Sequence, residues 1–272
     1  VVLRSIDKVE AFIRKEVLTS LSYRYSFLSG IFFGFIALLF YFAMADVFKS
    51  AIVADVIPYG GDYVAFIITG AILWQIVTLG LYSISGSFML EMITGTLETI
   101  YLSRTNILLV LVGVSLFSLM TSLVTVVGSL VLAVIIFGVQ VHFGNLLLAF
   151  LVLVLTYLSM LGFGMIFAGI TIITKTIGQL VSVFTLLLMF LSGVVFPISL
   201  LPGVMQEASA FIPLTHALDA LRSTLLLGAG LEEIAPSLAS LIILSVVLIP
   251  IGYKTFFFCL GIAKKQGSLG QF

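Results

Sequence analysis

The sequence predicts an all-α, polytopic membrane protein with six transmembrane helices and both ends on the cytoplasmic side. Three observations carry that expectation. Of 272 residues, 61% are hydrophobic and only 9% charged, against roughly 25% charged in a soluble domain; the mean hydropathy is +1.33. Uncharged apolar stretches of ~20 residues or more recur along the chain, the length a helix needs to cross a bilayer. The third observation is Leu191–Arg222, which begins as membrane-grade sequence and is then broken by Gly193, Pro197, Pro202 and Pro213. Proline removes a helix donor and clashes with the preceding turn. Broken backbone survives at membrane depth only where protein or a water-filled cavity satisfies it. The segment 197–226 therefore reads as a re-entrant pair of short helices.

Residues 1–24 carry Arg4, Lys8, Arg14, Lys15 and Arg24 among Asp7, Glu10 and Glu16. Ile6, Val9, Phe12, Ile13 and Val17 recur at spacings of three and four, which puts one apolar stripe on a helix. A basic amphipathic helix ahead of a first span lies in the membrane interface; the plainer alternative is a solvated, frayed terminus. The charges also leave no apolar core for a cleavable leader there. Span one is expected at about 25–45, with Gly30 and Gly34 in a GxxxG spacing that permits close helix approach. Asp46–Asp62 reads as a polar connection turning at Pro58-Tyr-Gly-Gly, and span two as about 63–84. Gln75 within it either lines a path or bonds to a neighbouring helix. Gly86–Arg104 is too polar to span and too apolar for a loose loop, with Glu91 and Glu98 two turns apart. It reads as a separate short helix over 86–104. No Asp, Glu, Lys or Arg occurs between Arg104 and Lys175, room for spans three (about 106–139) and four (about 145–173). Span five is expected at about 178–196 and span six at about 234–253, with a possible continuation to Lys264-Lys265 and a kink at Pro250. Together 25–272 form a single transmembrane domain.

Orientation follows the Lys and Arg distribution. With the N-terminus inside, ten of the twelve basic residues are cytoplasmic, all but Lys49 and Arg222. The Glu91/Glu98 segment is then cytoplasmic and the broken segment enters from outside. Chemistry of its own is not expected. There is no GxxxxGK[ST] phosphate loop and no HExxH. His142 and His216 lie in separate connections, so no metal site is expected, and the single Cys259 permits no intramolecular disulfide. An intramembrane serine protease needs a His within a span, and neither lies in one. The expected spans hold almost no ionisable residues, which argues against a proton- or ion-coupled carrier. Zero formal net charge argues against nucleic acid as a partner. Asp219 and Arg222, three apart, can pair on one helix face, as a structural clasp in preference to a substrate contact.

Three segments, RKEVLTSLSYRYSFLSG (14–30), EMITGTLETIYLSRTN (91–106) and SGVVFPISLLPGVMQEASAFIPLTHALDALR (192–222), resemble the membrane subunit of type-2 ABC exporters. That permease class serves drug, lipid and polysaccharide export, and the resemblance covers essentially the whole chain. It implies that 86–104 is the coupling helix of a separate ATP-binding subunit, touching it through Glu91, Thr94, Gly95, Glu98 and Arg104. The interface helix, with Arg14, Lys15 and Glu16, would lean on the same subunit. Gly193, Pro197, Pro202, Pro213, Asp219 and Arg222 would form an outer gate. The resemblance further implies two copies of this chain and two ATP-binding subunits in a prokaryotic plasma membrane, with ATP and magnesium on the partner and no cofactor on this chain. The Phe-rich spans favour a hydrophobic or amphipathic cargo, drug or lipid-like. Polysaccharide or glycolipid export is the alternative within the class, and a non-ABC channel or membrane scaffold the alternative outside it.

Overall fold

A computed structural model describes residues 2–22, 24–96, 106–174 and 178–265. Among them the chain is helical, with helices α1 (Val2–Ser22), α2 (Arg24–Val56), α3 (Tyr63–Ile93), α4 (Ile107–Phe137) and α5 (Leu146–Thr174) in the first two thirds. Helices α6 (Gly178–Leu191), α7 (Gly203–Ser209), α8 (Pro213–Leu226) and α9 (Leu231–Lys265) follow. Short 3-10 turns stand at Ile57–Tyr59, Phe143–Asn145 and Ile198–Leu200. Polar residues set the helix starts where the apolar runs begin. Asp62 caps α3 by accepting from the Val64 amide at 2.8 Å, and Asn106 caps α4 by accepting from the Leu108 amide at 3.0 Å, each supplying an acceptor to an orphan donor.

Among the described residues four helices are long and apolar enough to cross a membrane: α3, α4, α5 with its preceding turn, and α9. The apolar parts of the other two expected spans are shorter, Phe32–Phe48 in α2 and Leu180–Leu191 in α6.

Several expected boundaries move. Helix α2 continues through Asp46 to Val56, so the polar connection shrinks to the turn at Pro58. Helix α3 continues through Gly86 to Ile93, so the separate helix expected from Gly86 does not start there. Helix α9 takes the longer of its two expected extents, past Tyr253 to Lys265. The reason for the last two is mutual packing. The Phe88 ring meets the Phe256 ring edge-to-face with centroids 5.0 Å apart, and Met92, Leu260 and Ala263 are buried beyond it. Each extension is an apolar partner for the other, and extending an existing helix is far easier than nucleating one. In contrast α6 stops at Leu191, short of the expected Phe196, because Gly193 turns left-handed at φ 81°.

The core is built on α3, whose apolar window is 72% buried, against 22% for α4 and α9. Helix α5 is packed between α3 and α9. Glycines set those crossings. A Cβ on Gly164 would stand 2.6 Å from the Gly80 carbonyl oxygen, and one on Gly252 would stand 2.2 Å from the Gly162 carbonyl oxygen. Between helices bathed in lipid the hydrophobic drive is absent, and close backbone approach supplies the packing instead. The expected GxxxG contact is not used within the chain at Gly34, whose Cβ position has no atom within 4 Å.

Replacing Gly252 with Ala sets a methyl against backbone that no side-chain rotation relieves. We expect the purified chain to lose thermal stability, by about 1–3 kcal/mol if it folds. Gly128→Ala on α4, with nothing within 4 Å of the new carbon, is expected to leave the melting temperature in detergent unchanged or slightly raised.

Candidate functional site

Two polar assemblies stand at opposite ends of α3. The first forms around the break after α6. Fourteen residues of α6 reach about 21 Å, short of the ~30 Å hydrocarbon core. The chain leaves the helix with carbonyls freed at its end, and four of them, those of Leu191, Gly193, Val194 and Val195, find side-chain donors. Ser209 on α7 donates its hydroxyl to the Leu191 carbonyl. Arg222 on α8 donates from Nη1 to the Gly193 carbonyl at 2.9 Å and from Nη2 to the Val194 carbonyl at 3.1 Å. Tyr63, at the start of α3, donates its hydroxyl to the Val195 carbonyl at 3.0 Å.

Arg222 also joins this break to α3. Its Nη2 donates to the Phe66 carbonyl at 3.1 Å, and its guanidinium carbon lies 3.4 Å from the centroid of the Phe66 ring. The side chain is 2% exposed. Space for it comes from Gly70, where a Cβ would stand 2.3 Å from the Val194 oxygen and 2.9 Å from Arg222 Nη2. A buried guanidinium is tolerated when its donors are spent on oriented acceptors and on an aromatic face.

The expected Asp219–Arg222 clasp is not formed in this state. Asp219 accepts instead from the Tyr59 hydroxyl at 2.9 Å, so its carboxylate serves the turn after α2. Burial, then the charge of Asp219 and the hydrogen bond to it, push the Tyr59 phenol up to about 12, so it remains a donor. The prolines act as starts: Pro197 precedes the 3-10 turn, Pro202 precedes α7 and Pro213 opens α8, where its missing N–H costs nothing. His216 donates from Nε2 to the Ala210 carbonyl at 2.8 Å. The end of α8 is laced to the α4–α5 connection by the His142 amide donating to the Leu225 carbonyl at 2.8 Å. Asn145 donates to the carbonyls of Gly228 and Ala229 at 3.0 and 2.9 Å.

The second assembly is at the far end of α3. Glu91 is buried and receives the Lys15 ammonium of α1 on one carboxylate oxygen and the Thr96 hydroxyl on the other. Lys15 is also within 3.7 Å of Glu16. Thr94 and Gly95 end the helix, Gly95 in the left-handed region at φ 70°. Helix α1 is held along α4, where the Phe12 Cβ would be 2.9 Å from a Cβ on Gly113. Arg14 is exposed on α1. Glu98 and Arg104 lie outside the described residues. Of the two readings of Gln75, the bond to a neighbour holds: it exchanges hydrogen bonds with Ser129 of α4 at 3.0 and 3.1 Å. Among the described residues no cluster of His, Cys, Asp and Glu could hold a metal.

Tyr59, Tyr63, Phe66 and Gly70 were not legible as site residues. They read as ordinary turn and span residues, and nothing in their spacing points to a guanidinium more than a hundred and fifty positions away.

Residues 8–226 match the family model described as ABC-2 type transporter. A nodulation protein J of Rhizobium leguminosarum bv. viciae is 35% identical over 88 residues, 31% of this chain and 33% of that protein. The protein of the same name from Rhizobium leguminosarum bv. trifolii is 33% identical over 106 residues, 38% of this chain and 39% of that one. A probable multidrug ABC transporter permease of Escherichia coli, YbhR, is 26% identical over 197 residues, 72% of this chain and 53% of that protein. The chain thus matches between a third and about half of the length of these curated relatives.

Arg222→Leu removes the donors from carbonyls that have no water to turn to, at a cost of about 1–3 kcal/mol for each group left bare. We expect faster hydrogen exchange confined to 192–196 and the start of α3, read by mass spectrometry on the detergent-purified chain, with α5 and α9 unchanged.

Proposed function

The chain belongs to the ABC-2 type transporter family, and on that premise we propose that it is the permease subunit of an ATP-driven exporter. A separate ATP-binding subunit, in two copies, would supply the energy, and two copies of this chain would enclose the path. The observation that carries the reading is the pair of assemblies joined by one unbroken helix. Helix α3 holds Glu91 to α1 at one end and receives the gate hairpin through Arg222 at the other. A permease needs such a connection between the face its ATPase pushes and the barrier that must move.

Six spans with both ends in the cytoplasm remain the preferred topology. Helix α2 exceeds bilayer length as a helix, and α6 is completed across the outer leaflet by the broken segment 192–202. In this arrangement Lys15, Glu91, Thr94 and Gly95 face the ATP-binding subunit together with Glu98 and Arg104, and the Pro-broken hairpin is the outer gate. The dimer contact is supported by the apolar faces that α2 and α6 leave exposed, among them Phe33, Phe40, Val183 and Phe190. ATP and magnesium are handled by the partner; this chain contributes a two-state packing that ATP binding biases. A hydrophobic or amphipathic cargo in a prokaryotic plasma membrane is the substrate reading, favoured by those faces and by the description of the Escherichia coli relative as a multidrug permease.

Two substitutions test the coupling end. Glu98→Arg is expected to lose the ATP-binding subunit from co-purification while the permease still elutes as a folded species. Lys15→Ala frees a buried carboxylate at Glu91; we expect ATPase stimulation in proteoliposomes to fall several-fold with the complex still recovered. Wild-type stimulation in both variants would sink the docking assignment.

A further inference from the structure

We propose that Arg222 and Asp219 form a two-position latch, in which Arg222 pins the gate hairpin to α3 in the state seen here and passes to Asp219 when the hairpin moves away. The inference deepens the gate reading above and rests on it for its functional meaning. Its geometry stands by itself.

A buried guanidinium cannot be moved from its acceptors into apolar surroundings without a replacement. Here the acceptors belong to two bodies, the Phe66 carbonyl and ring on α3 and the Gly193 and Val194 carbonyls of the break. Any motion that separates them strips Arg222 of acceptors on which its donors are already spent. The substitute that travels with it is on its own helix: Asp219, one turn earlier and on the same face of α8. Two details mark that carboxylate as held in reserve. It is occupied by a neutral donor, the Tyr59 hydroxyl at 2.9 Å, although a cation stands one turn away. Arg222 in turn keeps its Nε without any hydrogen-bond partner, in full burial. Tyr59 belongs to the turn after α2, so α2 keeps Asp219 away from Arg222 while α3 keeps Arg222 on the break. One helical turn therefore carries both halves of the exchange, and the two stationary helices hold them apart. Bistable packing of this kind turns a small displacement into a discrete switch.

The latch predicts effects of opposite sign from neighbouring residues, which a purely structural network does not. Tyr59→Phe releases the carboxylate to compete for Arg222 and favours the open hairpin. Asp219→Asn leaves every hydrogen bond of Arg222 in place and removes the open-state partner. The test uses the full chain in lipid nanodiscs with spin labels at Ile57→Cys and Phe211→Cys, both well exposed at 66% and 78%, and the labelled chain diluted into unlabelled chain. Native Cys259 is buried and stays unlabelled. We expect Tyr59→Phe to raise the population at long label distance several-fold, and addition of Asp219→Asn in the same chain to return it to the unsubstituted level. Arg222→Lys, whose single ammonium cannot span two bodies as a guanidinium does, is expected to raise that population without regard to residue 59. No shift in Tyr59→Phe, or a double variant as open as the single one, overturns the latch. A parallel arm adds the ATP-binding subunit and ATP to the unsubstituted chain. If only this arm fails to lengthen the distance, the latch stands and the ATP-driven gate reading falls.

Discussion

A helix that ends among buried apolar residues must have its carbonyls satisfied by protein, and this constraint organises the molecule around the break after α6. Helix α6 ends at Leu191, and the carbonyls of Leu191, Gly193, Val194 and Val195 are met by Ser209, Arg222 and Tyr63. Those donors come from α7, α8 and α3, so meeting the constraint assembles the hairpin against the core. Ser209 and Arg222 of the segment are spent on that service, while Asp219 turns to Tyr59 and the buried Thr215 Oγ1 has no hydrogen-bond partner. Arg222 is the strongest member because a charged, multidentate donor can serve acceptors on two elements at once.

Helix α3 is the spine on which both ends depend. At about 46 Å for 31 residues it exceeds the hydrocarbon core, and its ends stand at different chemical tasks. Glu91 receives α1; Tyr63, Phe66 and Gly70 receive the broken segment. A straight helix transmits displacement along its axis with little loss, since its hydrogen bonds are internal and its flanks are packed by α4 and α5. Close approach keeps it rigid: Gly164 of α5 lies against the Gly80 and Leu81 carbonyls of α3, and Gly80 lies against the Met160 side chain of α5. The less buried helices present the opposite character. Helices α2 and α6, like α4 and α9, leave bulky apolar side chains exposed.

Much of the fold was readable from local chemistry. Spans at α3, α4, α5 and α9, the helix starts after Asp62 and near Asn106, and the break after Leu191 follow from length, charge and proline. One boundary failed where long-range packing overrode a local signal: Gly86 looks like a helix start, yet Phe88 packs on Phe256 and α3 runs on to Ile93, while the last helix takes the continuation to Lys265 that the sequence left open. The site was legible by half. Arg222 and Asp219 stand out as charges in apolar sequence, and pairing them is the natural local reading. Their actual partners, Phe66 and Tyr59, are distant in the chain and of unremarkable type.

The amino-acid sequence by itself determined that this chain is a helical membrane protein, where its apolar helices run, and that one segment must break. Those properties depend on transfer free energies and on backbone geometry, which each residue carries with it. Tertiary structure alone decided which carbonyls Arg222 serves, that Asp219 turns to Tyr59, and that Lys15 meets Glu91. Such choices depend on the approach of helices far apart in the chain, set by where glycines let backbones touch, and no local pattern encodes that distance.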